Sequence, residues 1–234
     1  MECKEAIILA GGKGTRLRAV VADIPKPLAP VAGRPFLAFV LDSLAANGIR
    51  RCILATGYLS ETIEQAIGSR WANMDISYSV ESQPLGTGGA VAQAVEALRG
   101  DSAHVLNGDT FLRYSPRQLE QQTRVCGTEA GVALAEVESV SRYGAVEVID
   151  GKVAAFQEKG MIGPGLINAG SYFLTAAALA GLVQHRAPFS FETQFLHPLV
   201  GRGQLAAYTR TAQFIDIGIP DDYARAQLQF GSNS

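Results

Sequence analysis

The chain of 234 residues has few cysteines, no long apolar run and no excess of one charge. Its cysteines, Cys3, Cys52 and Cys126, lie far apart without a Cys-x-x-Cys pair, which argues against a disulfide framework and against a zinc site. The apolar runs are far shorter than the roughly 20 residues of a membrane span, and residues 1–5 lack signal-peptide character. The 20 lysines and arginines are scattered among 22 acidic residues, which argues against a nucleic-acid partner. We therefore expect a cytoplasmic protein that binds neither membrane nor nucleic acid.

Histidine is scarce as well. The three histidines, His104, His185 and His197, lie outside every motif that carries chemistry, and no Ser/His or Cys/His pattern of a nucleophile appears. A covalent enzyme intermediate is therefore not indicated. Hydrophobic residues nevertheless make up 47% of the chain, which is ample for a packed core.

A glycine-rich loop near the start carries the strongest functional signal. An apolar stretch at residues 6–9 runs into Gly11, Gly12 and Gly14, whose small size lets backbone N–H groups converge on phosphate oxygens. Arg16 and Lys26 add two cations at the same end of the strand, and a proline on each side of Lys26 holds it in an extended segment. These features predict a polyphosphate site.

Two common phosphate motifs do not fit this loop. The P-loop pattern fails because no Gly-Lys-Ser or Gly-Lys-Thr occurs, and the dinucleotide fingerprint fails because Leu17 stands at its last glycine position. The alternative to phosphate binding is a glycine turn that only lets the strand pack closely on the next segment of the chain. Arg16 and the segment Pro25-Lys26-Pro27 argue against that alternative.

The apolar periodicity predicts an α/β fold. In the first half, strand-like segments at residues 6–9, 51–55, 76–80 and 103–106 alternate with helix-like segments at 36–46, 61–67 and 89–98, which is typical of a parallel, doubly wound sheet. In the second half, Asp150-Gly151 predicts a hairpin between residues 144–149 and 152–157. Strand-like segments at 166–174 and 205–209 and helix-like segments at 176–183 and 221–228 complete this half. We therefore predict a Rossmann-like, mixed and mostly parallel sheet, with one domain over residues 1–234 because no linker separates the halves.

Two aspartates are candidate metal ligands. Asp109 comes after the strand at 103–106, so it projects from the carboxyl end of a parallel sheet, where ligands bind; its alternative role is to form a turn with Asn107 and Gly108. Asp216 lies among apolar residues, where a charge is costly unless it is paired or bound to a metal. Its alternative is a solvent-facing position on an edge strand. The sequence alone does not place the two side by side.

Five segments, in their order and spacing, resemble the sugar-1-phosphate nucleotidyltransferase family. They are residues 9–17, Pro25-Lys26-Pro27, residues 84–90, Asn107-Gly108-Asp109 and Phe214-Ile215-Asp216. The resemblance implies the nucleotide-diphospho-sugar transferase (GT-A-like) fold, with a nucleotide-binding half over residues 1–110 and a sugar-binding half over 111–234. It also implies transfer of a nucleotidyl group from a nucleoside triphosphate to a sugar 1-phosphate.

The resemblance assigns roles to individual residues. The catalytic residues would be Arg16, Lys26 and Asp109, and Asp109 and Asp216 would hold Mg²⁺. The nucleotide would contact Leu9, Ala10, Gly11, Gly12, Gly14, Thr15, Arg16, Glu81, Pro84, Gly86, Thr87 and Gly88. The sugar phosphate would contact Gly144, Glu158, Lys159, Asn168 and Gly170.

Within the family, several motifs are most similar to the bacterial branch that joins GTP and D-glycero-α-D-manno-heptose 1-phosphate for surface polysaccharide. Two positions at the sugar end depart from the usual family pattern, since Gly160 replaces a proline and Ile217 replaces a threonine. The alternatives are a mannose-1-phosphate guanylyltransferase, a hexose-1-phosphate thymidylyl- or cytidylyltransferase, and a non-catalytic regulator that binds nucleotide sugars. A regulator is expected to have lost Arg16, Lys26 or a metal aspartate, and all four are present. We also expect a homodimer, formed through the second half.

Overall fold

Ten strands form one mixed sheet, and helices cover both of its faces. The computed structural model describes residues 2–12, 17, 21 and 24–231, so the predicted site residues Gly14, Thr15 and Arg16 lie outside the described part of the chain. The strands are β1 (Glu5–Leu9), β2 (Pro30–Val31), β3 (Arg34–Pro35), β4 (Arg51–Thr56), β5 (Arg70–Trp71), β6 (Met74–Val80), β7 (Ala103–Asn107), β8 (Thr110–Arg113), β9 (Ala130–Val137), β10 (Val146–Ile149), β11 (Lys152–Phe156), β12 (Gly165–Leu174), β13 (Leu205–Tyr208) and β14 (Ala212–Asp216). The helices are α1 (Phe36–Ala46), α2 (Ser60–Ile67), α3 (Gly86–Val95), α4 (Pro116–Val125), α5 (Ala176–Leu182), α6 (His197–Gly201) and α7 (Pro220–Gly231), with a 3-10 turn at Lys26–Leu28 and a π-helix at Phe191–Leu196.

The strand order across the large sheet is β10-β11-β13-β9-β12-β7-β1-β4-β6-β5. Strands β7, β1, β4 and β6 are parallel neighbours, and β12 joins the second half to them by pairing antiparallel to both β7 and β9. Two short pairs, β2 with β3 and β8 with β14, lie outside this sheet. The predicted doubly wound α/β class is confirmed.

Alternate residues of the central strands pack into two separate hydrophobic cores, one on each face of the sheet. Ile7 and Ile53 pack with helices α3 and α5 on one face, whereas Ile8 and Leu54 pack with α1, α2, α4 and α7 on the other. Because side chains alternate along a strand and both faces are covered, β1 and β4 carry unbroken apolar runs at residues 6–9 and 52–55. The sheet is therefore a rigid platform for residues at its strand ends.

Several predicted elements are confirmed and others are corrected. Helix α1 has the predicted bounds, and the hairpin between β10 and β11 turns through Asp150 and Gly151 at φ of 50° and 74°. Helix α3 begins at Gly86 and ends at Val95, three residues before the predicted bounds at each end. The prediction began the helix too late because glycine has a low helix propensity, yet the glycines at its start are helical here. The segment at Lys26 was predicted to be extended, but it forms a 3-10 turn over Lys26–Leu28 with a proline in its first turn. Strand β9 and the π-helix were not predicted. No helix within the described ranges has the length and apolarity to cross a membrane.

Candidate active site

A cavity of about 920 Å³ lies at the carboxyl ends of the parallel strands. Leu9 at the end of β1 is in register with Asn107 of β7 and Ala55 of β4, so three chain segments leave the sheet side by side. The volume lies in the range of small-molecule sites. The cavity is lined by Leu9, Ala10, Gly11, Gly12, Lys26, Pro27, Ala55, Gly57, Tyr58, Glu81, Ser82, Gln83, Pro84, Gly86, Thr87, Ala90, Asn107, Asp109 and Gly218.

Many predicted nucleotide-site residues meet in this cavity. Leu9 to Gly12 form one wall, and Glu81, Pro84, Gly86 and Thr87 form a second one. Gly88 is buried behind the second wall and does not line the cavity. The two walls come from segments that are more than sixty positions apart, and the parallel order of β1, β4 and β6 brings them together.

The wall at residues 81–88 is held from behind by a segment that the sequence did not indicate. The Glu81 carboxylate accepts a hydrogen bond from the Leu85 N–H at 3.0 Å. The Gly88 N–H donates to the carbonyl of Phe189 at 2.9 Å, and the Phe191 N–H donates to Oγ1 of Thr87 at 3.0 Å. A Cβ on Gly88 would lie 2.2 Å from the Phe189 ring, so only glycine fits there. No motif pointed to Phe189 or Phe191, because their role depends on a contact across about one hundred positions of chain.

Asp109, Asp216 and Lys26 meet at one end of the cavity. Strand β14 pairs antiparallel with β8, and this places Asp216 opposite Thr110, next to Asp109. The Lys26 ammonium donates a hydrogen bond to Oδ2 of Asp109 and lies 3.9 Å from Oδ1 of Asp216. The Gly218 N–H donates to Oδ1 of Asp216 at 2.7 Å. The structure thus brings together Asp109 and Asp216, which the sequence alone did not place side by side.

The two carboxylates repel each other in a partly desolvated place. Burial is the main cause that raises the pKa of Asp216 above its ordinary value, and the negative charge of Asp109 raises it further. Lys26, the Gly218 N–H and Arg142 act in the opposite direction. A site of this kind favours a bound cation, because a cation removes the repulsion between the carboxylates.

The chemistry of these donors fits one particular kind of metal site. Within residues 2–12, 17, 21 and 24–231, no three His, Cys, Asp or Glu side chains come together as a complete metal cage. Two carboxylates beside an open cavity instead match the way Mg²⁺ is held, by one or two carboxylates together with substrate phosphates. Asp109 and Asp216 are therefore the residues that could hold a metal.

The predicted sugar-site residues form two groups. In the first, a bulge in β12 brings Gly170 against the Asn107 side chain, and Oδ1 of Asn168 accepts a hydrogen bond from the Gly170 N–H at 3.0 Å. Asn168 also donates to Oε1 of Glu192 at 3.3 Å, and Glu192 was not predicted. This group therefore lies directly behind the cavity wall at Asn107.

In the second group, Gly144 packs against the chain just before Glu158 and Lys159. A Cβ on Gly144, which has a φ of +83°, would lie 2.5 Å from the carbonyl oxygen of Gln157, so a side chain is excluded. Glu158 and Lys159 are exposed. None of the five predicted sugar-site residues lines the cavity itself.

Arg142 is a further charged residue near the carboxylates that the sequence did not single out. Its guanidinium binds Asp222, and Nη2 lies 4.0 Å from Oδ2 of Asp216. The only signal in the sequence was its position directly before Tyr143-Gly144. The side of Asp216 away from Lys26 is thus also faced by a cation.

The chain is similar to known proteins along nearly its whole length. The sequence model of the nucleotidyl transferase family matches residues 5–233. The D-glycero-alpha-D-manno-heptose 1-phosphate guanylyltransferases of Aneurinibacillus thermoaerophilus and Campylobacter jejuni are 40% and 38% identical to the chain, over 96% and 94% of its length and 97% and 96% of theirs. The crystal structure of HddC from Yersinia pseudotuberculosis complexed with GMP-PN is similar, with a TM-score of 0.86 and 34% identity over 97% of this chain and 100% of that one.

Proposed function

The chain belongs to the nucleotidyl transferase family, and we propose on this basis that it transfers a guanylyl group from GTP to D-glycero-α-D-manno-heptose 1-phosphate. The products are GDP-heptose and pyrophosphate. The observation that carries the proposal is the meeting of Lys26, Asp109 and Asp216 at one end of a cavity walled by residues 9–12 and 81–87. Relatives that bear the names of such guanylyltransferases match nearly the whole chain.

The reaction requires that two polyanions approach each other. An oxygen of the sugar phosphate attacks the α-phosphorus in line, a new P–O bond forms, and the bond to the β-phosphate breaks as pyrophosphate leaves with its electron pair. The repulsion between the phosphates amounts to several kcal/mol at short range. Positive charge and fixed geometry are therefore the main contributions that the protein makes.

Lys26 would supply part of this positive charge. Its side chain is only 12% exposed, and its ammonium lies between the two carboxylates at the edge of the cavity. The backbone N–H groups of Gly11 and Gly12 would bind the nucleotide phosphates from the neighbouring wall. Arg16, which the family resemblance assigns to the leaving pyrophosphate, adds a second cation to the proposal.

We further propose Mg²⁺ as the metal held by Asp109 and Asp216. When it is bound, it neutralises negative charge on phosphate oxygens of both substrates. The sugar would be oriented by the group at Asn168 and Gly170 and by the group at Gly144, Glu158 and Lys159. The second group would have to contact the sugar where it extends beyond the cavity, since its members do not line it.

A cytoplasmic location, a homodimer and a role in surface-polysaccharide synthesis belong to the same proposal. The support for the homodimer is β10, which stands at one edge of the large sheet and has no strand partner on its outer side in the described structure. Ile149 at the end of β10 is 62% exposed. Light scattering coupled to size-exclusion chromatography tests it, and a mass of twice 24.8 kDa is expected.

The substrate pair is tested by pyrophosphate release in the presence of Mg²⁺. GTP, dTTP, CTP, UTP and ATP are each combined with manno-heptose 1-phosphate, mannose 1-phosphate and glucose 1-phosphate. Turnover confined to GTP with the heptose is the expected result. Turnover with another pair would support the proposed reaction type but contradict the proposed substrates. Nucleotide binding without any turnover would support a regulatory protein instead.

A further inference from the structure

Arg142 links the candidate metal carboxylate to a buried ion pair. One end of its guanidinium binds Oδ2 of Asp222, while Nη2 lies 4.0 Å from Oδ2 of Asp216. Lys26 faces the opposite oxygen, Oδ1, at 3.9 Å. Asp216 is therefore flanked by two cations, Lys26 and Arg142.

The guanidinium is held in place from two sides. Asp222 is 7% exposed, so its charge needs a permanent partner, and Arg142 provides one. The guanidinium carbon also lies 5.0 Å from the centre of the Tyr143 ring. An arginine fixed in this way loses little conformational freedom when it binds an anion.

Arg142 is still able to bind a further group. Its side chain is 40% exposed. At 4.0 Å, Nη2 is too far from Asp216 for a direct hydrogen bond, so this contact is electrostatic. A guanidinium carries five N–H donors in a planar fork that matches phosphate oxygens. The ion pair with Asp222 does not use all of these donors.

The position of Arg142 indicates a contact with the sugar 1-phosphate, which accepts the guanylyl group, rather than with the nucleotide. It stands in the turn at residues 140–145, where the Gly144 N–H donates to Val140 at 2.9 Å and the Gly160 N–H donates to Ser141 at 2.9 Å. The turn therefore lies beside Gly160, and the Arg142 side chain reaches from this turn to Asp216. Arg142 does not line the cavity formed by residues 9–12 and 81–87.

We propose that Arg142 is a substrate-binding residue that pairs with the phosphate of the sugar 1-phosphate. This inference rests on the proposed function. Without substrate the guanidinium offsets the charge of Asp216, and with substrate it keeps Asp222 as its anchor and turns its remaining donors to the acceptor phosphate.

Arg225 is a matched control within the same ion-pair cluster. It binds Oδ1 of Asp222 at 3.1 Å and is 54% exposed, but no contact joins it to Asp216 among the ion pairs of the described residues. Replacing Arg142 or Arg225 by glutamine removes one partner of Asp222 in either case. Only the first substitution removes the cation beside Asp216.

The test is steady-state kinetics on Arg142→Gln, Arg142→Lys and Arg225→Gln with GTP and manno-heptose 1-phosphate, each varied at saturating partner. In Arg142→Gln, KM for the sugar phosphate is expected to rise about 10- to 100-fold, while KM for GTP stays within about twofold of wild type. Arg142→Lys keeps the charge without the fork, so a smaller rise is expected. Arg225→Gln is expected to leave both KM values unchanged.

Three results would overturn the inference. The first is an unchanged KM for the sugar phosphate in Arg142→Gln, and the second is an equal rise in Arg225→Gln, because a structural role through Asp222 predicts that. If Arg142→Gln does not fold, Arg142→Lys replaces it in the test, because a lysine keeps a positive charge beside Asp222. An unchanged KM for the sugar phosphate in Arg142→Lys would then overturn the inference. The third result is a wild-type enzyme that accepts no sugar 1-phosphate at all, which overturns the proposed function as well and is thereby distinguished from the first two.

Discussion

The Lys26 ammonium donates a hydrogen bond to Oδ2 of Asp109, although 83 positions separate the two residues. The 3-10 turn at Lys26–Leu28 and the loop after β7 carry the two side chains to the same end of the cavity. In this state the lysine offsets a negative charge that a metal would otherwise offset. The proposed Mg²⁺ would therefore compete with Lys26 for the same carboxylates.

Replacing Lys26 by glutamine separates these two effects. Turnover is expected to fall at least about 100-fold, because a charged group that stabilises the reacting phosphates is lost. Affinity for Mg²⁺ in the absence of nucleotide is expected to rise, because the competing ammonium is gone. Pyrophosphate release measures the first effect, and thermal denaturation at increasing Mg²⁺ measures the second. Lys4→Gln, which removes an exposed lysine paired with Glu2, is the control, and a Lys26→Gln enzyme with normal turnover would remove Lys26 from the mechanism.

Removing the metal, or one of its ligands, is expected to stop the reaction while leaving the fold intact. Excess EDTA should abolish pyrophosphate release, and added Mg²⁺ should restore it. Asp109→Asn should reduce turnover at least about 1,000-fold with an unchanged circular dichroism spectrum, because the amide does not provide the negative charge that the metal requires. Asp75→Asn, at an exposed ion pair with Arg70, is the control. Full activity in EDTA would contradict the proposed metal site.

Adding one methyl group at Gly88 should disturb the wall at residues 81–88. The new Cβ would lie 2.2 Å from the Phe189 ring, so Gly88→Ala is expected to lower the free energy of unfolding by about 1–3 kcal/mol and to raise KM for GTP. Gly181→Ala in α5 is the control, because nothing lies within 4 Å of its Cβ. It should be neutral or stabilise the protein by up to about 1 kcal/mol. Equal effects of the two substitutions in urea denaturation would show that Phe189 does not hold this wall.

His104 should make the protein sensitive to mild acid. Burial lowers the pKa of His104 from 6.5 to about 3, so the unfolded chain takes up a proton below pH 6.5 that the folded chain does not. Stability from this group is therefore complete above pH 6.5 and is lost as the pH falls from 6.5 toward 3. Between pH 6.5 and 5 the loss is about 2 kcal/mol.

Urea denaturation at these two pH values tests this expectation. The His104→Leu variant should lose about 2 kcal/mol less than wild type over this interval, because its side chain does not titrate. His197→Gln, at an exposed histidine, should behave as wild type. An identical pH dependence in wild type and His104→Leu would assign the acid sensitivity to other groups.

Much of the fold was predictable because its signals are local. The alternation of apolar strands with helical segments identified β1, β4, β6 and β7, and φ above zero at Asp150 and Gly151 is what the hairpin sequence requires. The bounds of α3 were wrong, and β9 was missed. In both places burial within the tertiary structure outweighs the local preference of the residues.

The sequence by itself determined the glycine loop, the lysine between two prolines and the two aspartates, since each is a statement about residue type and short spacing. Only the tertiary structure decided that Asp109 and Asp216 are neighbours, because the pairing of β8 with β14 joins segments about one hundred positions apart. The same is true of the support that Phe189 gives to Gly88 and of the place of Arg142 beside Asp216. Contacts of this kind depend on how strands order themselves within a sheet, which no local pattern of residues specifies.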